Sequence, residues 1–333
     1  MKTIKYMVLF AIFFLNKANA NFSERTPFGD PDLQGLWTNR SITQLERHSF
    51  EPKLVLTPQE AEKIEYDIKH NMNTPDNFTV RVGNSSVPVM VAYNSFWTDT
   101  FTHFAVVNGE IRSSWIVDPP SGKVPYTEQA ISMLKKRILE RYENFDNPES
   151  RWPDERCLIG FGSTGGPPML SVYYNNFYQI VQSPGFVTII VEMNHDARII
   201  RLNSEHLPKN FHPWLGDSIG HWEKNTLVVE TTNINPEQSF SMSPHQKLYL
   251  SPNSKVIEWF TRVAKDEILY KFQVEEPNSY KQIWRGEMTM NATEGPMYEF
   301  ACHEGNRSFA ITLAGARYQE KLTKTKKHKE GTP

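Results

Sequence analysis

The sequence predicts a mainly β chain: an antiparallel up-and-down barrel preceded by an N-terminal α+β extension. Three observations carry that reading. From residue 177 onward, eight segments with strand-like alternation follow one another, at 177–183, 186–193, 197–202, 218–223, 226–233, 255–263, 267–275 and 281–290. The links between them are short, apart from two Pro-bearing loops around Pro208 and Pro213 and around Pro236 and Pro244, and short links force neighbouring strands antiparallel. No helix-length segment separates the strands, which excludes a doubly wound parallel sheet. Eight strands also suit closure into a small barrel that holds one ligand.

The chain begins with a targeting pattern. Lys2 and Lys5 form a basic end, residues 6–15 an apolar run, and Ala18-Asn19-Ala20 a small-residue cleavage pattern. The run is too short for a stable membrane anchor. Residues 1–20 therefore read as a signal peptide, and the mature protein as secreted, or periplasmic in a bacterial host. In such an oxidising compartment the two cysteines, Cys157 and Cys302, are expected to form one disulfide. Sequons stand at Asn21, Asn39, Asn77, Asn84, Asn291 and Asn306, and they become glycosylation sites if the host is eukaryotic. The formal net charge of −2 leaves no electrostatic footprint for nucleic acid.

Residues 21–168 form the expected extension. Gly35-Leu36-Trp37 resembles the first strand of lipocalin-like barrels. Thr57-Pro58-Gln59-Glu60 is a capping box with Pro at the first helical position, and the helix should stop before Pro75. Strands are expected at 87–92 and 101–107, and Asn108-Gly109 marks a hairpin turn into 111–117. Thr127 caps a second helix, with Ile131, Leu134, Ile138 and Tyr142 on one face. The run at 160–165 matches G-x-G-x-x-G, but Gly166-Pro167-Pro168 forbids the helix a dinucleotide site requires, so it reads as a loop. The barrel is expected to occupy residues 169–321, including a strand at 297–303 and a short helix at 309–321. Residues 322–333, rich in Lys, read as a disordered tail.

Polar chemistry is densest where the strand at 186–193 turns. Glu192 interrupts an apolar strand, and His195 and Asp196 follow within four residues. A carboxylate beside an imidazole fixes its tautomer, and partial burial moves both groups toward neutrality, where acid–base catalysis is efficient. Glu192, His195 and Asp196 are the expected catalytic group. Arg198, Trp222, Glu230, Glu258, Arg262 and His303 are the expected substrate-binding residues, provided that they face one pocket. The bland alternative is a polar turn with ion pairs on the sheet surface. No H-E-x-x-H, paired-cysteine or EF-hand spacing is present, so neither metal nor cofactor is expected.

Several stretches resemble a large, mostly uncharacterised family of secreted bacterial proteins. They are PDLQGLWT at 31–38, VDPP at 117–120, GPPM at 166–169, EMNHDARII at 192–200, GDSIGHWE at 216–223, TLVVETTN at 226–233 and ACHEGN at 301–306. The resemblance spans most of the mature chain and brings no settled activity. The sequons and the Lys-rich tail depart from the bacterial pattern. The expected function is a secreted acid–base enzyme of lyase, isomerase or hydrolase type acting on a small, largely apolar organic molecule. The rivals are a lipocalin-like carrier of such a molecule, a cofactor-independent oxygenase of luciferase type, and a structural or interaction module.

Overall fold

A computed structural model describes residues 24–47, 51, 53–72, 79–82, 85–88, 103–172, 174–238, 240–243 and 246–330. The expected signal segment, the sequons Asn21, Asn77 and Asn84, and the expected strand residues 89–92, 101 and 102 lie outside that range.

The chain is mainly β and closes into a barrel of nine strands. They are β1 (Gly35–Thr38), β2 (Phe177–Ser183), β3 (Phe186–Val191), β4 (Ala197–Leu202), β5 (Asp217–Glu223), β6 (Thr226–Thr232), β7 (Lys255–Ala264), β8 (Glu267–Glu275) and β9 (Trp284–Ala292). All eight expected strands form. The ninth, β1, is the Gly-x-Trp segment: it pairs with β2 through Trp37↔Tyr178 and with β9 through Trp37↔Ala292, and so shuts the ring.

That ninth strand changes the topology. In a closed ring with every neighbour antiparallel, directions alternate and the strand number must be even. Nine strands therefore require a parallel pair, and it is β4 with β5, in the register Ile200↔Ser218 and Leu202↔Gly220. The purely up-and-down expectation is corrected at this one joint. A parallel link must bring the chain back along the barrel, and residues 203–216, with Pro208 and Pro213, do so. Asp217 pins the returning segment: it accepts hydrogen bonds from Leu207 N–H at 2.7 Å and Arg201 at 2.8 Å, and His206 Nδ1 lies 2.8 Å from it.

The N-terminal half builds the barrel as well as packing on it. Besides β1 it supplies the short strand Ile116–Asp118, which pairs with β9. The expected boundary at residue 168 therefore does not separate extension from barrel. Of the strands expected there, 101–107 is strand only at Val106–Val107 among the described residues, and 111–117 is interrupted between Glu110–Arg112 and Ile116–Asp118. Helix α1 (Pro58–Met72) begins at the Thr57/Glu60 capping box, and α2 (Glu128–Glu143) begins at Thr127, whose hydroxyl accepts from Ala130 N–H. Asn108 and Gly109, both at positive φ, turn the hairpin between Val106–Val107 and Glu110–Arg112.

Two C-terminal expectations are corrected. Residues 297–303 form no strand: Tyr298 N–H donates to Glu192 Oε1, Phe300 N–H to His195 Nε2 and Cys302 N–H to Phe300 O. Helix α3 runs over Arg307–Glu330, well past Lys321 and into the expected disordered tail. Its lysines are good helix formers, and neither Gly nor Pro interrupts residues 316–330.

Strand alternation fills the barrel with large side chains. Trp37, Tyr178, Phe260, Tyr270, Phe272, Trp284, Met288 and Met290 are all buried. The β2–β3, β5–β6 and β7–β8 turns are two residues long and share one end. The loops before β2, between β6 and β7 and between β8 and β9 gather at the other, with the turn at 192–196. The second end, rich in loops and closed by few ladder bonds, is where a site can be built on this frame.

Candidate functional site

A charged pair lies in the barrel interior. Arg198 on β4 meets Glu258 on β7 in a bidentate bridge, with Nη1–Oε1 at 2.9 Å and Nη2–Oε2 at 2.5 Å. Their side chains are 1% and 0% exposed, so solvent does not reach them. Tyr270 OH donates to Glu258 Oε1 at 2.6 Å and accepts from Met169 N–H at 2.9 Å. Arg198 Nη2 also reaches Ser218 and Thr231 at 3.4 and 3.3 Å. Burial opposes the charge on Arg198, but Glu258 outweighs it and holds the guanidinium above its ordinary pKa. Burial, reinforced by Glu258, drives the Tyr270 phenol well up, so it remains a donor. Both carboxylate oxygens are thus engaged from within the fold.

The other expected binding residues do not converge with this pair. Glu230 lies on the outer wall, facing His206 Nε2 at 3.3 Å and Lys255 at 3.9 Å. Arg262 and Trp222 are at the end with the short turns. There Arg262 donates to Asp32 O at 3.1 Å and covers the Trp37 ring at 5.2 Å. His303 is exposed beside Cys302 at the loop-rich end. The shared pocket expected for Arg198, Trp222, Glu230, Glu258, Arg262 and His303 is not formed.

The loop-rich end gathers different groups. β3 stops at Val191 because Asn194 and His195 both take left-handed φ, 59° and 55°, which non-glycine residues adopt at a cost. This turn sends its three candidate side chains apart. Glu192 goes inward, 1% exposed, and accepts from Tyr298 N–H at 2.9 Å. His195 goes outward, and its Nε2 receives Phe300 N–H at 3.3 Å. That bond selects the neutral tautomer with its proton on Nδ1. Asp196 turns under the 160–165 loop. Its Oδ2 accepts from Gly160 N–H at 2.6 Å and its Oδ1 from Asn194 at 3.2 Å. Gly160 is required here: a Cβ would stand 2.6 Å from Met193 Cγ and 3.1 Å from Asp196 Oδ2. Burial raises the Asp196 pKa, opposed by the Gly160 N–H bond.

A disulfide joins Cys157 to Cys302 and so draws two distant segments onto this turn. Asp154 lies three residues before Cys157. Burial pushes its carboxyl up to about 6, and Glu155 adds to the effect. Tyr174 stacks between Phe161 and Phe300, with ring centroids 5.7 and 6.5 Å away. Its phenol is raised by burial first and by the charge of Asp154 second. These contacts connect His195, Phe300, Tyr174, Phe161, Gly160 and Asp196 into one continuous patch beside Asp154. Asp154, Asp196, Phe161, Tyr174 and Phe300 are all partly open to solvent.

Asp154, Phe161, Tyr174 and Phe300 were not singled out from the sequence. A signal existed: once the two cysteines are joined, the residues flanking each become neighbours across the bridge. Of the sequons, Asn39 is corrected: its amide is 1% exposed and donates to Tyr178 OH, so it carries no glycan in this fold. Asn291 and Asn306 are exposed. Among the described residues, no group of three or more His, Cys, Asp or Glu side chains is placed to hold a metal ion. Comparison with protein-family models, with curated proteins and with solved structures finds no match.

Two outcomes follow for stability. Arg198→Met strands Glu258 in the interior and should cost about 3–5 kcal/mol in urea unfolding. Adding Glu258→Met should restore a large part of that loss, since no buried charge is left unpaired. Equal losses in the single and double variants would contradict this account of the pair. For Asp154, the folded pKa lies above the unfolded one. The stability it contributes is complete below about pH 4 and is lost as pH rises through about 6. Asp154→Asn should therefore raise the melting temperature near pH 7.5, by an amount equivalent to roughly 1–3 kcal/mol, and leave it unchanged near pH 4. A gain of the same size at both pH values would show that burial of the charge is not the cause.

Proposed function

We propose that the chain is an enzyme that binds a small, largely apolar organic molecule at the loop-rich barrel end and transfers a proton on it. The observation that carries this reading is the pairing of two half-buried carboxyl groups, Asp154 and Asp196, with the Phe161–Tyr174–Phe300 ring stack. The rings offer faces for an apolar ligand. A carboxyl that titrates near 6 exchanges a proton efficiently at neutral pH. Asp196 serves as the second acid–base group. Lyase, isomerase or hydrolase chemistry fits these groups. The large side chains inside the barrel favour this end over the lumen as the place where a ligand sits.

The same reading places the protein outside the cytosol. The Cys157–Cys302 bridge persists in an oxidising compartment, and it fastens one wall of the proposed site to the other. Among the described residues, no helix is long and apolar enough to cross a membrane.

The test is a screen of apolar metabolites by ligand-induced thermal shift, followed by turnover assays on each binder. Asp154→Asn and Asp196→Asn should each lower kcat by about a hundredfold or more while changing ligand affinity only a few-fold. The acidic limb of the pH–rate profile near 6 should vanish in Asp154→Asn. Full turnover in both variants would refute the acid–base assignment. Tight binding without any turnover in the unaltered protein would make it a carrier instead.

A further inference from the structure

A groove of about 470 Å³ crosses the outer wall of the barrel over β6, β7, β8 and β9. That volume falls in the range of small-molecule sites. The groove shares no residue with the patch at the loop-rich end. Strand register sets out its floor. Trp259, Lys271 and Glu287 stand in one row across β7, β8 and β9, and Thr226, Thr261 and Leu269 in the next. These side chains point outward, because the residues that alternate with them, Glu258, Phe260, Tyr270, Phe272 and Met288, are buried inside.

Charge is balanced within the groove. Lys271 pairs with Glu287 at 3.2 Å, and Arg285, from the neighbouring row, pairs with Asp118 at 2.5 Å. Arg112 pairs with Glu110 at 2.8 Å and reaches Glu287 at 3.5 Å. An anion would meet Glu287 and Asp118, and a cation would meet Lys271 and Arg285, so neither sign of ligand is drawn in. A wholly apolar ligand would cover the unused donor and acceptor positions of these ions and leave them without partners, which is costly. Such positions remain in both kinds, since a carboxylate has about four acceptor sites, an ammonium three donors and a guanidinium five.

Trp259 supplies the apolar part. It is half-buried on the outer wall, and its indole N–H donates to none of the described residues. An indole in this setting offers a ring face with one donor beside it. A ring face, donors and acceptors in one formally neutral groove match a neutral ligand with an apolar side and several hydroxyls. A sugar ring is such a molecule. Its C–H groups cover one face, and each of its hydroxyls both donates and accepts.

We infer that this groove is a saccharide-binding site, in which a neutral sugar ring lies on Trp259 and its hydroxyls bond to the Lys271–Glu287 pair and to Arg285. The site is independent of the acid–base reading at the loop-rich end, and either stands without the other.

The experiment is calorimetric titration of the full oxidised chain with neutral probes: the hexasaccharides of β-linked glucose, β-linked N-acetylglucosamine and α-linked mannose. At least one is expected to bind with a Kd below about 1 mM. Trp259→Ala should weaken that binding at least about tenfold, whereas Trp259→Phe, which keeps a ring face, should weaken it only a few-fold. Arg285→Ala should weaken it about tenfold. The Arg285 side chain is 47% exposed, so this variant keeps the test open even if Trp259→Ala does not fold. The inference is overturned if none of the hexasaccharides binds. It is also overturned if Trp259→Ala and Arg285→Ala, with unchanged near-UV circular dichroism, bind as well as the unaltered chain. Heparin that binds equally well and displaces the neutral sugar would overturn it in favour of a polyanion surface.

Discussion

The bridge between Arg198 and Glu258 is the contact on which the barrel's interior depends. It spans β4 and β7, which are not neighbours in the sheet, and so ties opposite parts of the wall together. Taking both ions out of water is costly, and the cost is offset only when geometry is good and the remaining polar atoms are bonded. Here Tyr270 completes the carboxylate, while Ser218 and Thr231 crowd the guanidinium. Through Tyr270 the bridge extends to Met169, and a Cβ on Gly166 would stand 2.9 Å from Arg198 Nη1. The loop that enters β2 is therefore seated on the pair. A one-residue slip of β4 or β7 would turn one ion outward and leave the other alone, so the bridge penalises wrong register more strongly than apolar packing does.

Ring parity and loop placement follow from the same closed wall. With β1 inserted between β2 and β9, the strand number is odd and one parallel joint is unavoidable. The joint sits at β4 and β5, next to Arg198, and its return segment is fastened outside by Asp217. Burial works against the charge of Asp217, but bonds from Leu207 N–H, His206 and Arg201 outweigh it and hold the carboxyl below its ordinary range. The outer wall thus spends its charged residues on holding a loop. Glu230 belongs to that arrangement, which explains why a mid-strand carboxylate on β6 is not in the lumen.

Much of this was legible in the chain, and the failures have physical causes. All eight strands from residue 177 were visible because alternation and two-residue turns are local signals. The capping box at Thr57 and the N-cap at Thr127 were visible for the same reason. Closure by β1 was only hinted at by Gly35-Leu36-Trp37, since pairing across 140 residues and more leaves no local mark. The candidate triad at 192–196 was legible as polar density but not as geometry. Positive φ at Asn194 and His195 is a conformational fact, and it rotates Glu192, His195 and Asp196 to three different surroundings. Asp154 was hidden because its chemistry comes from burial beneath a segment that the disulfide brings in from 145 residues away.

The disulfide end satisfies part of its backbone with side chains rather than with the ladder. At this end N–H groups of Gly160, Tyr298 and Phe300 are received by Asp196, Glu192 and His195. Side chains that hold backbone in this way are themselves held, which fixes a carboxylate or imidazole more firmly than an exposed turn would. The arrangement has an energetic signature: the left-handed non-glycine residues Cys157, Asn175, Asn194 and His195 and two carboxyl groups raised by burial all lie at this end. Each is unfavourable for folding taken alone. In the entropy model, closing a loop of 145 residues contributes roughly 5 kcal/mol, which is of the size needed to offset a few such costs. A bridge of that strength beside strained backbone and disfavoured carboxyl groups is more readily understood if the patch is kept for chemistry than if it only ends a barrel.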